Sequence, residues 1–166
     1  MLHITFSYYE CITGRITIFK KILCPTDLGN RSFVALEKAV QIAHQFDSSI
    51  TMLNIHDEFM DEKERHMLRT DVNKMKEAFK KTAVECKKKM KQSIHELHAD
   101  DIKIDYVLKE GTPSKMIPQY AREHDMDLIV MATDGRDNVM DFVTGTISEH
   151  VINHATCPCL IIPSKK

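Results

Sequence analysis

The chain has 166 residues, enough for one domain with a substantial hydrophobic core. Hydrophobic residues make up 43% of it and charged residues 28%, which is ordinary for a globular protein. Because the net charge is only −1 at pH 7, the charge balance does not favour nucleic acid or an anionic membrane as the main partner. No apolar run approaches the roughly 18 residues that a membrane-spanning helix requires. We therefore expect neither nucleic-acid binding nor a membrane span.

The cysteines and the first residues indicate a compartment. Five cysteines, spread unevenly along the chain, are not typical of a disulfide framework. Residues 1–19 lack the basic start, apolar centre and cleavage site of a secretory signal. Both features predict a cytoplasmic protein with reduced thiols. Residues 1–19 also show no clear periodicity, so we predict an N-terminal extension of unassigned function, followed by one domain over residues 20–166.

The first half of that domain predicts a strand, a helix, a second strand and a long helical stretch. Lys21–Pro25 is a short strand ended by proline, and residues 26–30 form a turn. Ser32 is placed to cap a helix, whose apolar residues recur at helical spacing: Leu36, Ala39, Val40 and Ala43. Residues 50–56 form the second strand. In residues 61–98, apolar residues recur every three or four positions, which indicates one face of a helix with a solvated, mixed-charge opposite face.

The second half continues the alternation. Residues 102–108 predict a third strand, and residues 111–113 open a helix in which Pro118 must lie within the first two turns. Residues 128–131 and 159–162 are the fourth and fifth strands. Strands that alternate with helices, and that are apolar on both faces, predict a doubly wound α/β fold: an open parallel sheet with helices on both faces.

Two loops of this fold are candidates for a binding site. Open α/β sheets bind ligands beyond the carboxyl ends of strands, where the strand order reverses, so the loops after strands one and four are the places to search. The first contains Asp27, a carboxylate suited to ribose hydroxyls or an adenine amino group. The second carries Gly135, Gly145 and Thr146 and opens a helix, an arrangement that presents N–H groups to a phosphate. Neither a Walker A motif nor a G-x-G-x-x-G motif is present, so a P-loop NTPase or a nicotinamide enzyme is not expected.

Three ordered segments resemble the universal stress protein family. Lys21-Ile22-Leu23-Cys24-Pro25-Thr26-Asp27 resembles its opening strand, and residues 131–148 resemble its nucleotide loop, G-x-x-G-x9-G-[S/T]. Residues 155–162 resemble its last strand, and residues 111–113 fall where the family has a glycine turn. The similarity runs from about residue 20 to residue 163. It implies a five-stranded, Rossmann-like α/β sandwich of the adenine nucleotide alpha hydrolase type, commonly dimeric, whose best-studied members bind ATP.

The resemblance also implies an adenine-nucleotide site. Asp27 and Ile55 would flank the adenosine, and Met131 would lie near the base or sugar of an ATP molecule, with or without Mg²⁺. The glycines and Thr146 would hold the phosphates. The complete set of implied site residues is Pro25, Thr26, Asp27, Ile55, Met131, Ala132, Gly135, Gly145 and Thr146.

Two residues depart from the ATP-binding pattern. Ala132 stands where that pattern has glycine, and Asp134 brings a negative charge to a site for anions. An unpaired carboxylate about 4 Å from a phosphate charge would cost roughly 1–4 kcal/mol at surface-like dielectrics. Arg136 or a bound Mg²⁺ could offset this cost.

Three functions therefore stay open. The leading one is a nucleotide-binding, regulatory or protective protein of the stress response, which is not an enzyme. A ligand-independent interaction module is the alternative that the two departures favour. A slow ATPase is the third, although Asp134 and Asp137 are the only general-base candidates near the loop.

The C-terminal segment raises two further questions, a metal and a partner. His150, His154, Cys157 and Cys159 are close in sequence, but their spacing matches no standard structural zinc pattern, so we expect no metal site. The last strand is apolar and would be an aggregation hazard at a sheet edge unless it were paired. We therefore expect a homodimer across a two-fold axis through this strand, which consists of Cys159, Leu160, Ile161 and Ile162.

Overall fold

The computed structural model describes residues 19–56, 72–134 and 147–164. Strands and helices alternate along these residues. In chain order they are β1 (Lys21–Pro25), α1 (Asn30–Phe46), β2 (Ser49–His56), α2 (Val72–Glu96), β3 (Ile104–Glu110), α3 (Pro113–Glu123), β4 (Leu128–Asp134), α4 (Ile147–His154) and β5 (Cys159–Ser164).

The five strands form one parallel sheet in the order β3-β2-β1-β4-β5. The chain moves outward in one direction from β1 to β3, and then returns to the other side of β1 with β4. The strand order therefore reverses between β1 and β4, and β5 lies at an edge of the sheet. The predicted fold class, an open five-stranded parallel sheet, is confirmed.

Strand alternation builds a separate hydrophobic core on each face of the sheet. Ile22 and Cys24 of β1 face one way and pack in a first core with α1 and α2, while Leu23 faces the other way into a second core with α3 and α4. β4 follows the same rule, since Val130 belongs to the first core and Ile129 to the second. All five side chains are fully buried. Two helices on each face bury the central strands from both sides, which explains their continuous apolar sequences.

The long predicted helix is observed as α2. Its inward face carries Cys86, Met90 and Ile94, which are at most 6% exposed, whereas Val84 on the outer face is 70% exposed. The amphipathic face predicted from the spacing is thus confirmed for this part of the helix. Residues 61–71 of the predicted stretch lie outside the described residues.

Three local predictions need correction. Helix α1 starts at Asn30, two residues before the predicted cap Ser32, and its N-cap residue is Gly29, without a capping side chain. Strand β3 starts at Ile104, because Ile102 donates its N–H to the Ala99 carbonyl (3.1 Å) in the preceding turn. Strand β4 continues to Asp134, because β5 pairs with it from Ile129 to Asp134.

The turn between β3 and α3 requires glycine. Gly111 has a φ of +135°, a conformation that side chains with a Cβ rarely adopt. Its N–H donates to the His56 carbonyl of β2 (2.9 Å), and an added Cβ would come within 3.2 Å of the Met116 side chain. This turn fixes the start of α3 at the carboxyl ends of β2 and β3. Pro118 lies in the second turn of that helix, as predicted.

Among the helices of the described ranges, none is both long enough and apolar enough to cross a membrane.

Candidate functional site

A cleft of about 490 Å³ opens at the carboxyl end of the sheet, between β1 and β4. It is the place that the reversal of strand order predicts for a ligand. Three helices begin at its rim, so their N–H groups and positive dipole ends are turned toward it. The residues around the cleft are Pro25, Thr26, Asp27, Arg31, Ser32, Leu53, Ile55, Pro113, Ile117, Met131, Ala132, Thr133, Ile147 and Ser148.

Six of the nine residues predicted from the sequence lie together around this cleft. They come from three separate segments, and they are Pro25, Thr26, Asp27, Ile55, Met131 and Ala132. The predicted phosphate-binding residues Gly135, Gly145 and Thr146 lie outside the described residues. The fold thus brings the base- and sugar-side candidates together, and their roles stay predictions.

The loop after β1 is held by a network centred on Thr26. Its N–H donates to the Leu53 carbonyl (2.9 Å), and its hydroxyl accepts from the Leu28 N–H and donates to the Ser32 hydroxyl, both at 3.0 Å. Its carbonyl accepts from the Asn54 amide at 2.7 Å. With both backbone groups and the side chain bonded, Thr26 holds this wall of the cleft in one position.

Asp27 presents an ionised carboxylate at the cleft. Its Oδ1 accepts from the Gly29 N–H (2.9 Å), so it binds the residue before α1 and does not cap the helix itself. Burial acts to raise the pKa of this carboxyl. The neighbouring Ser32 hydroxyl, the hydrogen bond from the Gly29 N–H and the charge of Arg31 together outweigh burial and hold the pKa below its ordinary value. The carboxylate is therefore an acceptor at neutral pH.

The β4 side of the cleft combines apolar and hydroxyl groups. Met131 is 6% exposed, and Ala132 and Thr133 follow it along the strand. The Thr133 and Ser148 hydroxyls are 3.3 Å apart, which ties the end of β4 to the first turn of α4. The cleft thus offers hydrogen-bonding groups close to an apolar wall, a combination suited to a ring system with a polar substituent.

Sequence reasoning missed several residues of the cleft. Leu53 could have been found from strand alternation, because it shares a face of β2 with Ile55. Thr133 follows the predicted fourth strand in the sequence, but in the structure it belongs to β4. Ser32, Pro113, Ile147 and Ser148 lie in segments that the sequence singled out, but not as site residues. Arg31 and Ile117 have no local signal, since only the packing of α1 and α3 brings them to the cleft.

The C-terminal histidines and cysteines lie in different surroundings. His154 Nδ1 donates to the His150 carbonyl (2.8 Å), and the two rings stack with centroids 3.9 Å apart. Cys157 and Cys159 pack against the second core, and burial raises the pKa of Cys157 to about 11. Within the ranges described, no three His, Cys, Asp or Glu residues are grouped to hold a metal ion.

Known proteins are similar to this chain in both sequence and fold. A universal stress protein of Methanocaldococcus jannaschii is 30% identical over 149 residues, which cover 90% of this chain and 85% of that protein. A second universal stress protein of that organism has a solved structure with a TM-score of 0.69 and 26% identity, covering 90% of this chain and 99% of that one. A universal stress protein solved in complex with cAMP has a TM-score of 0.65 at 15% identity, covering 89% and 99%.

The family match extends over nearly all of the chain. Residues 18–163 match the universal stress protein family, and this range contains every strand and helix of the sheet except the last residue of β5. The match therefore rests on the same elements that build the cleft. The chain belongs to the universal stress protein family.

Proposed function

We propose that this protein binds an adenine nucleotide, foremost ATP with Mg²⁺, in the cleft between β1 and β4, and acts as a regulatory protein of the stress response in the cytoplasm. The observation that carries the proposal is the convergence of six predicted nucleotide-site residues from three chain segments on one cleft. A cleft of about 490 Å³ is within the usual size of small-molecule sites.

The chemistry of the cleft supports a nucleotide. Leu53, Ile55 and Ile117 supply apolar surface for a base, and the ionised Asp27 can accept hydrogen bonds from ribose hydroxyls or an amino group. The cAMP complex of a protein with the same fold is consistent with this assignment. Because the pKa of Asp27 is lowered, this carboxylate is a poor proton acceptor at neutral pH, which favours binding over catalysis.

Calorimetric titration with ATP–Mg²⁺ tests the proposal. We expect saturable binding to the wild type and its loss in Ile55→Trp, because the larger ring fills the cleft beside Asp27. Val84→Trp is the control, since it adds similar bulk on the 70% exposed outer face of α2 and should leave binding unchanged. A wild type that gives no heat at millimolar ATP would contradict the proposal.

The same titration separates binding from a ligand-independent interaction module. The double variant Ala132→Gly, Asp134→His removes both departures from the ATP-binding pattern. Equal or modestly tighter binding in this variant agrees with a nucleotide-binding wild type. If ATP binds only to the double variant, the natural protein is a ligand-independent interaction module and not a nucleotide-binding protein.

We also propose that the protein is a homodimer through β5. This strand lies at the edge of the sheet, pairs with β4 on one side, and exposes 38% of Leu160. A second copy of the same strand would cover the open edge.

Light scattering tests the dimer. We expect the wild type to have about twice the 19.1 kDa mass of the chain, and Leu160→Lys to shift it toward the monomer, because a charged residue opposes edge pairing. Val84→Lys should leave the mass unchanged. A monomeric wild type at micromolar concentration would refute the dimer.

A further inference from the structure

The charges around the cleft are few and unevenly placed. Among the described residues that line it, Arg31 is the only cation and Asp27 the only anion. The two interact, since the charge of Arg31 contributes to the lowered pKa of Asp27. The positive charge that this part of the cleft can offer a ligand is therefore concentrated on one side chain.

Arg31 lines the cleft beside the point where the strand order reverses, between β1 and β4. It belongs to the first turn of α1, and that helix packs in the first core against Val130 and Leu128 of β4 as well as against β1. Ser32 follows it, and the Thr133–Ser148 hydroxyl pair lies on the α4 side of the same cleft. Two helix N-termini and one guanidinium thus border a single region, and each of them favours an anion.

The remaining lining supplies apolar surface on both sides of β1. Leu53 and Ile55 come from β2, on the far side of β1 from β4, while Ile117 of α3 packs in the second core with Ile129 and Met131 of β4. A nucleoside whose base contacts Leu53 and Ile55 would extend its 5′ substituent toward β4 and the starts of α1 and α4. A guanidinium binds phosphate with two parallel hydrogen bonds, which an ammonium cannot do.

We propose that Arg31 binds a phosphate group of the nucleotide and makes the cleft select phosphorylated nucleosides over adenosine. This inference rests on the proposed nucleotide binding and adds to it a selectivity residue outside the glycine loop.

Titrations of the full chain with ATP–Mg²⁺, AMP and adenosine test this role. We expect Arg31→Gln to weaken ATP and AMP binding roughly tenfold to a hundredfold, the usual worth of a hydrogen bond to a charged group, and to leave adenosine binding unchanged. The ATP affinity of Arg31→Lys should lie between those of the wild type and Arg31→Gln, because lysine keeps the positive charge but cannot form the two parallel hydrogen bonds of a guanidinium. Lys38→Gln is the control on the same helix, where Lys38 binds Gln41 away from the cleft.

Several outcomes would overturn the inference. An Arg31→Gln variant with the wild-type ratio of ATP to adenosine affinity would do so, as would an equal loss of both ligands, which would indicate only a disturbed loop. Both results leave nucleotide binding by the wild type intact. A wild type that binds none of the ligands would remove the proposed function and this inference together. A cooperative thermal unfolding transition shows that each variant is folded. If Arg31→Gln does not fold, the ratio of ATP to adenosine affinity is compared between Arg31→Lys and the wild type instead.

Discussion

Replacing Val130 by alanine is expected to lower the free energy of unfolding by about 2–3 kcal/mol, because two methyl groups leave a cavity in a close-packed core. Val130 is fully buried in β4, between β1 and β5, and packs in the first core under α1. Urea unfolding at a fixed protein concentration measures the change as a lower midpoint with an unchanged slope.

Val84→Ala is the matched control for that experiment. It removes the same two methyl groups from a side chain that is 70% exposed on α2. We expect a change within about 0.5 kcal/mol, since a surface substitution leaves no cavity. Equal destabilisation by the two variants would contradict the assignment of Val130 to the core and of Val84 to the surface.

The second large effect is expected for Asn54→Asp. Asn54 is 3% exposed, and its amide donates to the Thr26 carbonyl at 2.7 Å. The substitution replaces this donor by a carboxylate oxygen that faces a carbonyl oxygen in a buried place. We expect a loss of about 3–5 kcal/mol at pH 7, the usual cost of an uncompensated buried charge. Affinity for the nucleotide should fall as well, because Thr26 holds the wall of the cleft.

The pH dependence of Asn54→Asp identifies the cause. Burial raises the pKa of the new carboxyl in the folded state above its value in the unfolded chain. The variant is therefore closest to wild-type stability below about pH 4, where the carboxyl is protonated in both states, and loses stability as the pH rises through the folded-state pKa. Equilibrium unfolding between pH 4 and pH 8 measures this trend.

Asn153→Asp is the control for the buried charge. Asn153 is exposed on α4, so the same chemical change there should alter stability by no more than about 0.5 kcal/mol at any of these pH values. A stability difference between Asn54→Asp and the wild type that did not depend on pH would argue against a buried charge. The loss would then come from the missing hydrogen bond alone.

Strands β1 and β4 show which features of a strand the local sequence can predict. Their apolar sequences predict burial on both faces, and the structure places Leu23 and Ile129 in one core and Ile22 and Val130 in the other. The end of β4 was harder to predict. Its apolar run stops at Met131, but Ala132 pairs with Ile162 and Asp134 with Ser164, so a neighbour distant in sequence decides how long the strand is.

The start of α1 shows a different limit. Serine is a residue type that often caps helices, but Ser32 lies inside the first turn and is only 7% exposed. Its hydroxyl donates to the Gly29 carbonyl at 2.9 Å. The helix starts earlier because Asp27 binds the Gly29 N–H and turns the chain before Asn30. Several polar residues in this loop could have served as a cap, and which one does so depends on how the whole loop is bonded.

The sequence by itself determined the fold class, the burial of the sheet on both faces and the family, and it predicted the two loops that border the cleft. These follow from periodicity and from short motifs, which act over a few residues and need no knowledge of distant contacts. Tertiary structure decided which side chains share the cleft. Arg31 and Ile117 have no motif of their own. They line one cleft with Asp27 and Met131 because the reversal of strand order brings the ends of β1, β2 and β4 and the starts of three helices to one place.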